Sequence, residues 1–269
     1  MAINALQSSS SALSALNVAL DVTANNLANI NTPGFKSSRT NFQDLLYVEK
    51  AQPGVLNANQ DQRPTGLYVG LGVKVSGTQL DFTQGAPQAT NRPLDIMING
   101  NGFFEVSVEP EKGNGGRAFT RAGNFALNSD GEIVLANDQG RRLQPAISIP
   151  PEAQEVTITD DGRVFYSVAG VPEPTEAGQI QLATFVNNAG LKQVGENLYV
   201  ETAASGPPVV GNPGTDSRGS LRSNFLEASN VDPTRELIEL IRTQRAFEMN
   251  SQTIRAADDT LRSVAQLRR

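Results

Sequence analysis

Both ends of the chain carry an apolar heptad repeat, and no other feature limits the possible folds as strongly. Apolar side chains that recur every seven residues form a narrow seam along one side of a helix, which is typical of helices that pack as coiled coils. The N-terminal seam consists of Leu6, Leu13, Leu16, Leu20, Leu27 and Ile30. The C-terminal seam consists of Leu240, Phe247, Ile254, Leu261 and Val264. The sequence therefore predicts a long helix at each end.

The N-terminal helix carries very little charge. Asp21 is the only charged side chain before Lys36. Because a helix with a single charge has no well-solvated face, we expect protein to cover most of its circumference. We therefore predict that the two end helices pair. Two independent surface helices are the alternative, which the low charge of the first makes less attractive.

The ends of both helices are marked by local signals. Pro33 disfavours the helical conformation at Thr32, so the first helix should end near Asn31, and Pro33 and Gly34 fit the centre of a type II turn. The last helix should begin after Asp232 as its N-cap, with proline at the first helical position. It is predicted to run from Thr234 to about Leu267.

Asparagines are concentrated at the end of the first helix, although asparagine is a mediocre helix former. We interpret Asn25 and Asn26 as neutral amides that hydrogen-bond between packed helices and set their register without buried charge. For Asn29 the same contact competes with ordinary capping and turn chemistry.

The middle of the chain is typical of β-hairpins. Residues 94–98 and 104–108 alternate apolar and polar side chains around a Gly-rich turn at 99–102. Further turn signals stand at Asp130-Gly131 and Asp161-Gly162. These patterns predict an antiparallel β domain.

The predicted fold class is α+β, with paired terminal helices, a central antiparallel β domain and long irregular connections. The predicted segments are an N-terminal helix at 1–32, an extended linker and β region at 33–87, the β domain at 88–203, a return linker at 204–231 and a C-terminal helix at 232–269.

Composition excludes most catalytic sites. The 269 residues include no histidine and no cysteine, so triads, Cys-His pairs and thiolate or imidazole metal sites are ruled out. We expect no cofactor and no catalytic residue. What remains for catalysis is carboxylates, a Ser-Lys pair or a backbone phosphate loop. The enzyme alternative is a carboxylate-dependent hydrolase with pairs such as Glu152 and Glu155, which lie beside turns as solvated acids usually do.

Charge and hydropathy limit the partners. A net charge of −6 without a basic stripe argues against nucleic-acid binding. The N-terminus lacks the pattern of a cleaved signal peptide, and no apolar run approaches a membrane span. We therefore expect neither membrane insertion nor a cleaved leader.

Five stretches together resemble the bacterial flagellar rod and hook family, in the expected order and over essentially the whole chain. They are "NVALDVTANNLANINTPGFKSSRTNFQDLLY", "LDIMINGNGFF", "FTRAGNF", "GENLY" and "ASNVDPTRELIELIRTQRAFEMNSQTI". The resemblance implies a structural subunit whose paired helices line an export channel as an inner tube, with the β domain outside. Length favours the distal rod over the proximal rod and the hook, the alternatives within the family.

The linker at residues 50–66 also resembles that of distal-rod members. It contains Gln52, Pro53, Gly54, Pro64 and Gly66, which we interpret as part of a contact that stiffens the rod. The resemblance implies a homo-oligomeric tube in the flagellar basal body that spans the periplasm and carries torque. It implies export without a cleaved signal peptide. The implied partners are proximal rod proteins, the hook protein, P-ring and L-ring proteins, and the flagellar type III export apparatus.

Overall fold

The computed structural model describes residues 2–55, 64–170 and 173–267. Two helices stand at the ends, α1 at Ala2–Ala28 and α2 at Pro233–Leu267. The strands between them are β1 Ser38–Asp44, β2 Tyr47–Ala51, β3 Leu67–Gly70, β4 Val73–Leu80, β5 Pro87–Ala89, β6 Ile96–Asn99, β7 Phe103–Ser107, β8 Arg117–Thr120, β9 Phe125–Leu127, β10 Ile133–Leu135, β11 Leu143–Gln144, β12 Ala153–Ile158, β13 Arg163–Val168, β14 Thr175–Gln179, β15 Leu182–Thr184, β16 Lys192–Gly195, β17 Leu198–Val200, β18 Val209–Gly211, β19 Ser220–Ser223 and β20 Phe225–Glu227.

The chain divides into two compact units. The helical unit comprises Met1–Ala28, Ser38–Leu80 and Asp232–Arg269. The β-rich unit comprises Asn29–Ser37 and Asp81–Val231. This arrangement of terminal helices and a strand-rich centre confirms the α+β class.

In the helical unit α1 lies against α2 and also contacts β1 and β4. β1 pairs antiparallel with β4, and β2 pairs antiparallel with β3. The start of α2 agrees with the prediction, because the Asp232 carboxylate accepts the Thr234 N–H at 2.9 Å and so caps the helix. Neither described helix has the length and apolar character needed to cross a membrane.

The first helix ends at Ala28, before the predicted end near Asn31. Asn29 instead begins a turn, in which its carbonyl accepts the Thr32 N–H at 3.2 Å and its side chain accepts the Thr32 hydroxyl at 3.1 Å. Ile30 therefore lies beyond α1, although its spacing places it on the N-terminal seam. A side chain that satisfies the turn competes with the next helical hydrogen bond, which explains the early end.

The β-rich unit is built around a sheet with the strand order β16-β17-β8-β7-β15-β18, in which β11 also pairs with β7. The three-stranded sheet β12-β13-β14 and the pairs β9–β10, β6–β19 and β5–β20 complete it. Apolar side chains from these strands form its core. Its fully buried members include Ile96, Ile98, Phe104, Val106, Phe125, Ile133, Leu143, Ile149, Val164, Ile180 and Leu182.

The hairpin predicted for residues 94–108 is wrong in its pairing. Both strands exist, but β6 pairs with β19, whereas β7 pairs with β8, β11 and β15. Gly100 and Gly102 have φ values of +115° and +140°, and Asn101 pairs with Arg218. The connection thus separates the strands instead of reversing the chain between neighbours.

The predicted return linker also contains regular structure. β18, β19 and β20 all lie within residues 204–231, and they pair with β15, β6 and β5. Their short length and flanking prolines and glycines resemble a loop at the level of sequence. The long-range pairing provides the hydrogen bonds that make them strands.

Candidate functional site

The predicted helical seam is only partly covered within one chain. Leu6, Leu13, Leu16, Leu20 and Leu27 are half-buried in α1. Leu240, Phe247 and Ile254 are half-buried in α2, Leu261 is exposed, and the side chain of Val264 lies outside the described ones. The heptad side chains thus keep apolar surface available for further protein contacts.

A second apolar surface on α2 is exposed. Leu237, Ile238 and Ile241 each leave nearly half of their side chain accessible (47%, 48% and 47%), and Met249 leaves 62%. Leu237 and Ile241 are four residues apart and share one helix face. Exposed apolar side chains grouped in this way mark an interaction surface.

Asn26 connects three segments of the helical unit. It is 2% exposed. Its amide nitrogen donates to the Ser38 carbonyl at 2.8 Å and to the Glu236 carboxylate of α2 at 3.3 Å, and its amide oxygen accepts the Ser38 N–H at 2.9 Å. Burial raises the pKa of Glu236. Asn25 is exposed, and Asn29 belongs to the turn after α1.

We expect Asn26→Leu to cost about 1–3 kcal/mol, because it removes both partners of the Ser38 backbone. Helix formation should be less affected, since leucine is the better helix former. In cells the variant should build rods that are abnormal in length or straightness, scored by electron microscopy. Ala24→Leu, which places a leucine at an exposed position of the same helix, is the control. Normal rods from Asn26→Leu would contradict a role in register.

Serines on α1 form a contact that the sequence did not reveal. The Ser11 hydroxyl accepts the Val73 N–H at 3.2 Å and donates to the Ser8 carbonyl at 2.9 Å, and the Ser8 hydroxyl donates to the Gly70 carbonyl at 3.4 Å. Gly72, at φ +117°, leaves no room for a Cβ beside Ser11. Serines near the start of α1 thus bind the backbone at the end of β3 and at the start of β4.

Several large apolar side chains on and next to the β2–β3 hairpin are exposed. Leu46 is 82% exposed, and Tyr47, Leu67 and Tyr68 are each at least half exposed. Of the predicted stiffening residues, Gln52, Pro53, Gly54 and Pro64 are exposed and Gly66 is half-buried, and residues 56–63 lie outside the described part of the chain. A small exposed ribbon of this kind gains stability when another surface covers it.

Residues 29–37, here called the strap, follow α1 in the chain and pack against the rest of the β-rich unit. The Gly34 N–H donates to the Glu227 carbonyl at 2.8 Å, and Asn197 donates its amide to the Pro33 carbonyl at 3.2 Å. Gly34 has φ +71°, and a Cβ there would lie 2.6 Å from the Ala122 nitrogen. The predicted turn at Pro33 and Gly34 is therefore a tight docking point.

The strap ends in a buried charge cluster. Lys36 is fully buried, and its ammonium donates to the Thr83 carbonyl at 2.7 Å and to Glu227 Oε1 at 2.6 Å. Arg121, also buried, approaches Glu227 Oε2 at 3.4 Å and donates to the Gly100 carbonyl at 2.8 Å. Burial lowers the pKa of both Lys36 and Arg121, and attraction to the Glu227 carboxylate opposes the shift. Two cations share one carboxylate.

The turn between β16 and β17 also contacts the strap. Glu196 and Asn197 both adopt left-handed conformations, at φ +55° and +56°. Such a conformation is unfavourable for glutamate. Arg141 holds Glu196 in place with a 2.8 Å contact, which lets Asn197 reach Pro33. The quoted "GENLY" stretch therefore positions a strap contact.

The lowered pKa of Lys36 predicts how pH changes the stability of the β-rich unit. The folded state binds this proton less tightly than the unfolded state, whose lysine keeps a value near 10.5. The resulting destabilisation is complete below the lowered pKa and disappears as pH rises to 10.5. Other charges facing the cluster are Asp81, Arg121 and Glu227, with Tyr199 nearby.

Over that window wild type should gain stability with pH relative to Lys36→Met, measured by urea unfolding. The gain reflects proton release by Lys36 on folding, which methionine cannot provide. Parallel pH profiles for the two proteins would contradict the assignment.

Sequence reasoning missed Lys36 and Glu227. Lys36 is the first lysine of the chain and directly follows the predicted turn. This position is the one local feature of the sequence that distinguishes it from other lysines. Its partner lies 191 positions away. Among the described residues no group of acidic side chains is placed to hold a metal ion.

Three family models match successive parts of this chain. "Flagella basal body rod protein" matches residues 6–36, "Flagellar hook protein FlgE/F/G D1 domain" matches 97–166, and "Flagellar basal body rod FlgEFG protein C-terminal" matches 222–267. The first match contains most of the strap, and the last contains Glu227.

Curated relatives cover the chain from end to end. The flagellar basal-body rod protein FlgG of Caulobacter vibrioides is 42% identical over 99% of this chain and 100% of its own length. The FlgG proteins of Borreliella burgdorferi and Bacillus subtilis are 38% and 36% identical, each over 99% of this chain and at least 99% of their own length. The rod protein FlgF of Caulobacter vibrioides is 34% identical over 85% of this chain.

Proposed function

Because the chain belongs to the family of flagellar basal-body rod proteins and is a structural subunit of the rod, we propose that its copies build the distal part of that rod as a rigid, hollow helical tube. The end-to-end similarity to FlgG proteins carries this proposal, since the match to FlgF covers less of the chain. The proximal rod and the hook remain the alternatives within the family.

The exposed apolar surfaces of the helices support a tube. Leu237, Ile238 and Ile241 on α2 find no full cover within one chain. Their burial against neighbouring copies would contribute about 25 cal/mol per Å². A contact that joins two different surfaces of identical subunits, and does not close into a ring, produces an open helical filament. The coiled-coil pairing of α1 and α2 would then form the inner tube around the export channel.

The β2–β3 hairpin and the linker at 50–66 support a rigid rod. The exposed Leu46, Tyr47 and Tyr68 would be covered by an adjacent subunit. A lateral contact of this kind resists the sliding between subunits that bending requires. The rod can then transmit torque from the motor to the hook.

Removal of residues 50–66 is expected to yield rods that bend, because the lateral contact is lost while the helices remain. Electron microscopy of isolated basal bodies measures the curvature. A Gly/Ser sequence of equal length at the same place separates the loss of side chains from the loss of length. Straight rods from both variants would refute the stiffening role.

The remaining proposals concern the surroundings of the tube. We place it across the periplasm, exported by the flagellar type III apparatus without a cleaved signal peptide. It would contact proximal rod proteins below, the hook protein above, and the P-ring and L-ring proteins around it. We propose no catalytic role. Cell-wall hydrolysis by the purified protein would contradict that.

The test of the main proposal is electron microscopy of basal bodies from cells that lack this gene. The expected result is a short proximal rod without a hook, restored by the wild-type gene. A full-length rod within its rings but without a hook would assign the chain to the hook instead.

A further inference from the structure

The partners of Glu227 in the buried charge cluster come unequally from the strap and from the rest of the β-rich unit. Glu227 Oε1 accepts the Gly85 N–H at 2.9 Å as well as the Lys36 ammonium, and Oε2 faces Arg121. Gly85 and Arg121 both belong to the body of the β-rich unit, and only Lys36 comes from the strap. If Lys36 leaves, the carboxylate therefore keeps a guanidinium and a backbone donor.

The strap contributes little to the apolar core. The buried core cluster contains no residue of 29–37. Phe35 is buried outside that cluster, and the other strap contacts are mainly hydrogen bonds, such as Ser37 N–H to Asn230 Oδ1 at 2.7 Å and Asp81 N–H to the Ser37 carbonyl at 2.8 Å. The core cluster of the β-rich unit is thus built from segments other than the strap.

Docking of the strap also has an electrostatic cost. With Lys36 in place, two buried cations share a single carboxylate, and each charge loses its hydration. Without Lys36 the pair of Glu227 and Arg121 is balanced in charge. Burial lowers the pKa of Lys36, which agrees with this cost.

We infer that the strap docks reversibly. It can leave the rest of the folded β-rich unit while Arg121 stays paired with Glu227. This goes beyond the proposed role in the rod. It lets residues 29–37, which directly follow α1 in the chain, leave the rest of the β-rich unit without unfolding its sheets.

Hydrogen exchange of the full-length wild-type monomer tests the inference without any rod assembly. The Gly34 and Ser37 amides report on the strap, and the Ile133 and Ile180 amides report on the core, where they donate to the Ile147 and Gly162 carbonyls. Strap amides should exchange at least tenfold faster than core amides. Low concentrations of urea should accelerate the exchange of the core amides only. Local opening of the strap exposes little surface, so its rate should hardly depend on urea.

Equal rates with equal urea dependence would overturn the inference, because strap and core would then open as one unit. Failure of rod assembly in cells, by contrast, would bear on the proposed function alone.

A matched pair of variants tests the asymmetry. Lys36→Met should change core exchange by less than twofold, whereas Arg121→Met should accelerate it at least tenfold, since Arg121 also contacts the Gly100 carbonyl and packs over Phe103. Similar acceleration of the core by both variants would overturn the inference. If Arg121→Met does not fold, Lys36→Met is compared with wild type alone. Faster exchange of the core amides in Lys36→Met would then overturn the inference.

Discussion

Glu227→Gln is expected to destabilise the β-rich unit by about 3–5 kcal/mol, because it removes the carboxylate that two buried cations share. The side chain keeps its size, so the loss comes from the missing charge and from the acceptor oxygen that the amide nitrogen replaces. Lys36 and Arg121 are 0% and 3% exposed, so water does not replace the lost counter-charge while the strap is docked. Both the strap and the sheets lose stability, because Glu227 binds Lys36 of the strap and Arg121 of the rest of the unit.

Urea unfolding of the purified monomer, followed by far-ultraviolet circular dichroism, measures this effect. Glu109→Gln is the matched control, because Glu109 also pairs with a buried arginine, Arg141, but is itself half exposed. It should change the unfolding free energy little. A Glu227→Gln protein within about 1 kcal/mol of wild type would contradict the account of the cluster.

Gly34→Ala is expected to shift the docking equilibrium of the strap by about 2–5 kcal/mol towards the undocked state. A left-handed backbone costs an alanine about 1–2 kcal/mol, and forcing a methyl group into a filled site costs about 1–3 kcal/mol more. The obstacle is the backbone at Arg121 and Ala122, which cannot rotate away as a flexible side chain could. The core should remain folded.

Acetylation of native protein, read by mass spectrometry, detects the undocked strap. Lys36 should react slowly in wild type and approach the rate of exposed Lys112 in Gly34→Ala. Gly206→Ala is the matched control, because Gly206 has φ +77° with open space around it, so it has the backbone strain without the clash. Equal Lys36 reactivity in the two variants would show that the close approach at Gly34 is unimportant.

Local signals predicted the parts of the fold that local physics controls. The Asp232 cap and the proline after it determined the start of α2, and the heptads identified both helices. Asn26 is buried and binds mainly the Ser38 backbone, and its role in setting register stays a prediction. The exact end of α1 was not predicted, because the Asn29 side chain binds Thr32 in a turn and so competes with the next helical hydrogen bond.

Strand pairing and the buried charges could not be derived in the same way. β6 and β7 are adjacent in sequence but pair with β19 and with β8, β11 and β15. Alternation reports which face of a strand is buried, not which strand lies beside it. When neighbours on both faces bury a strand, even the alternation disappears, and β7 is buried at Phe103, Phe104, Glu105 and Val106.

The amino-acid sequence alone therefore determined the two long helices, the strand-rich centre and the absence of histidine and cysteine chemistry, because periodicity, capping and composition act over a few residues. Only the tertiary structure decided that Lys36 meets Glu227 and Arg121 beneath the strap. That contact joins positions 36, 121 and 227, and burial within the folded unit, rather than any local pattern, makes a lysine after a turn part of a charge cluster.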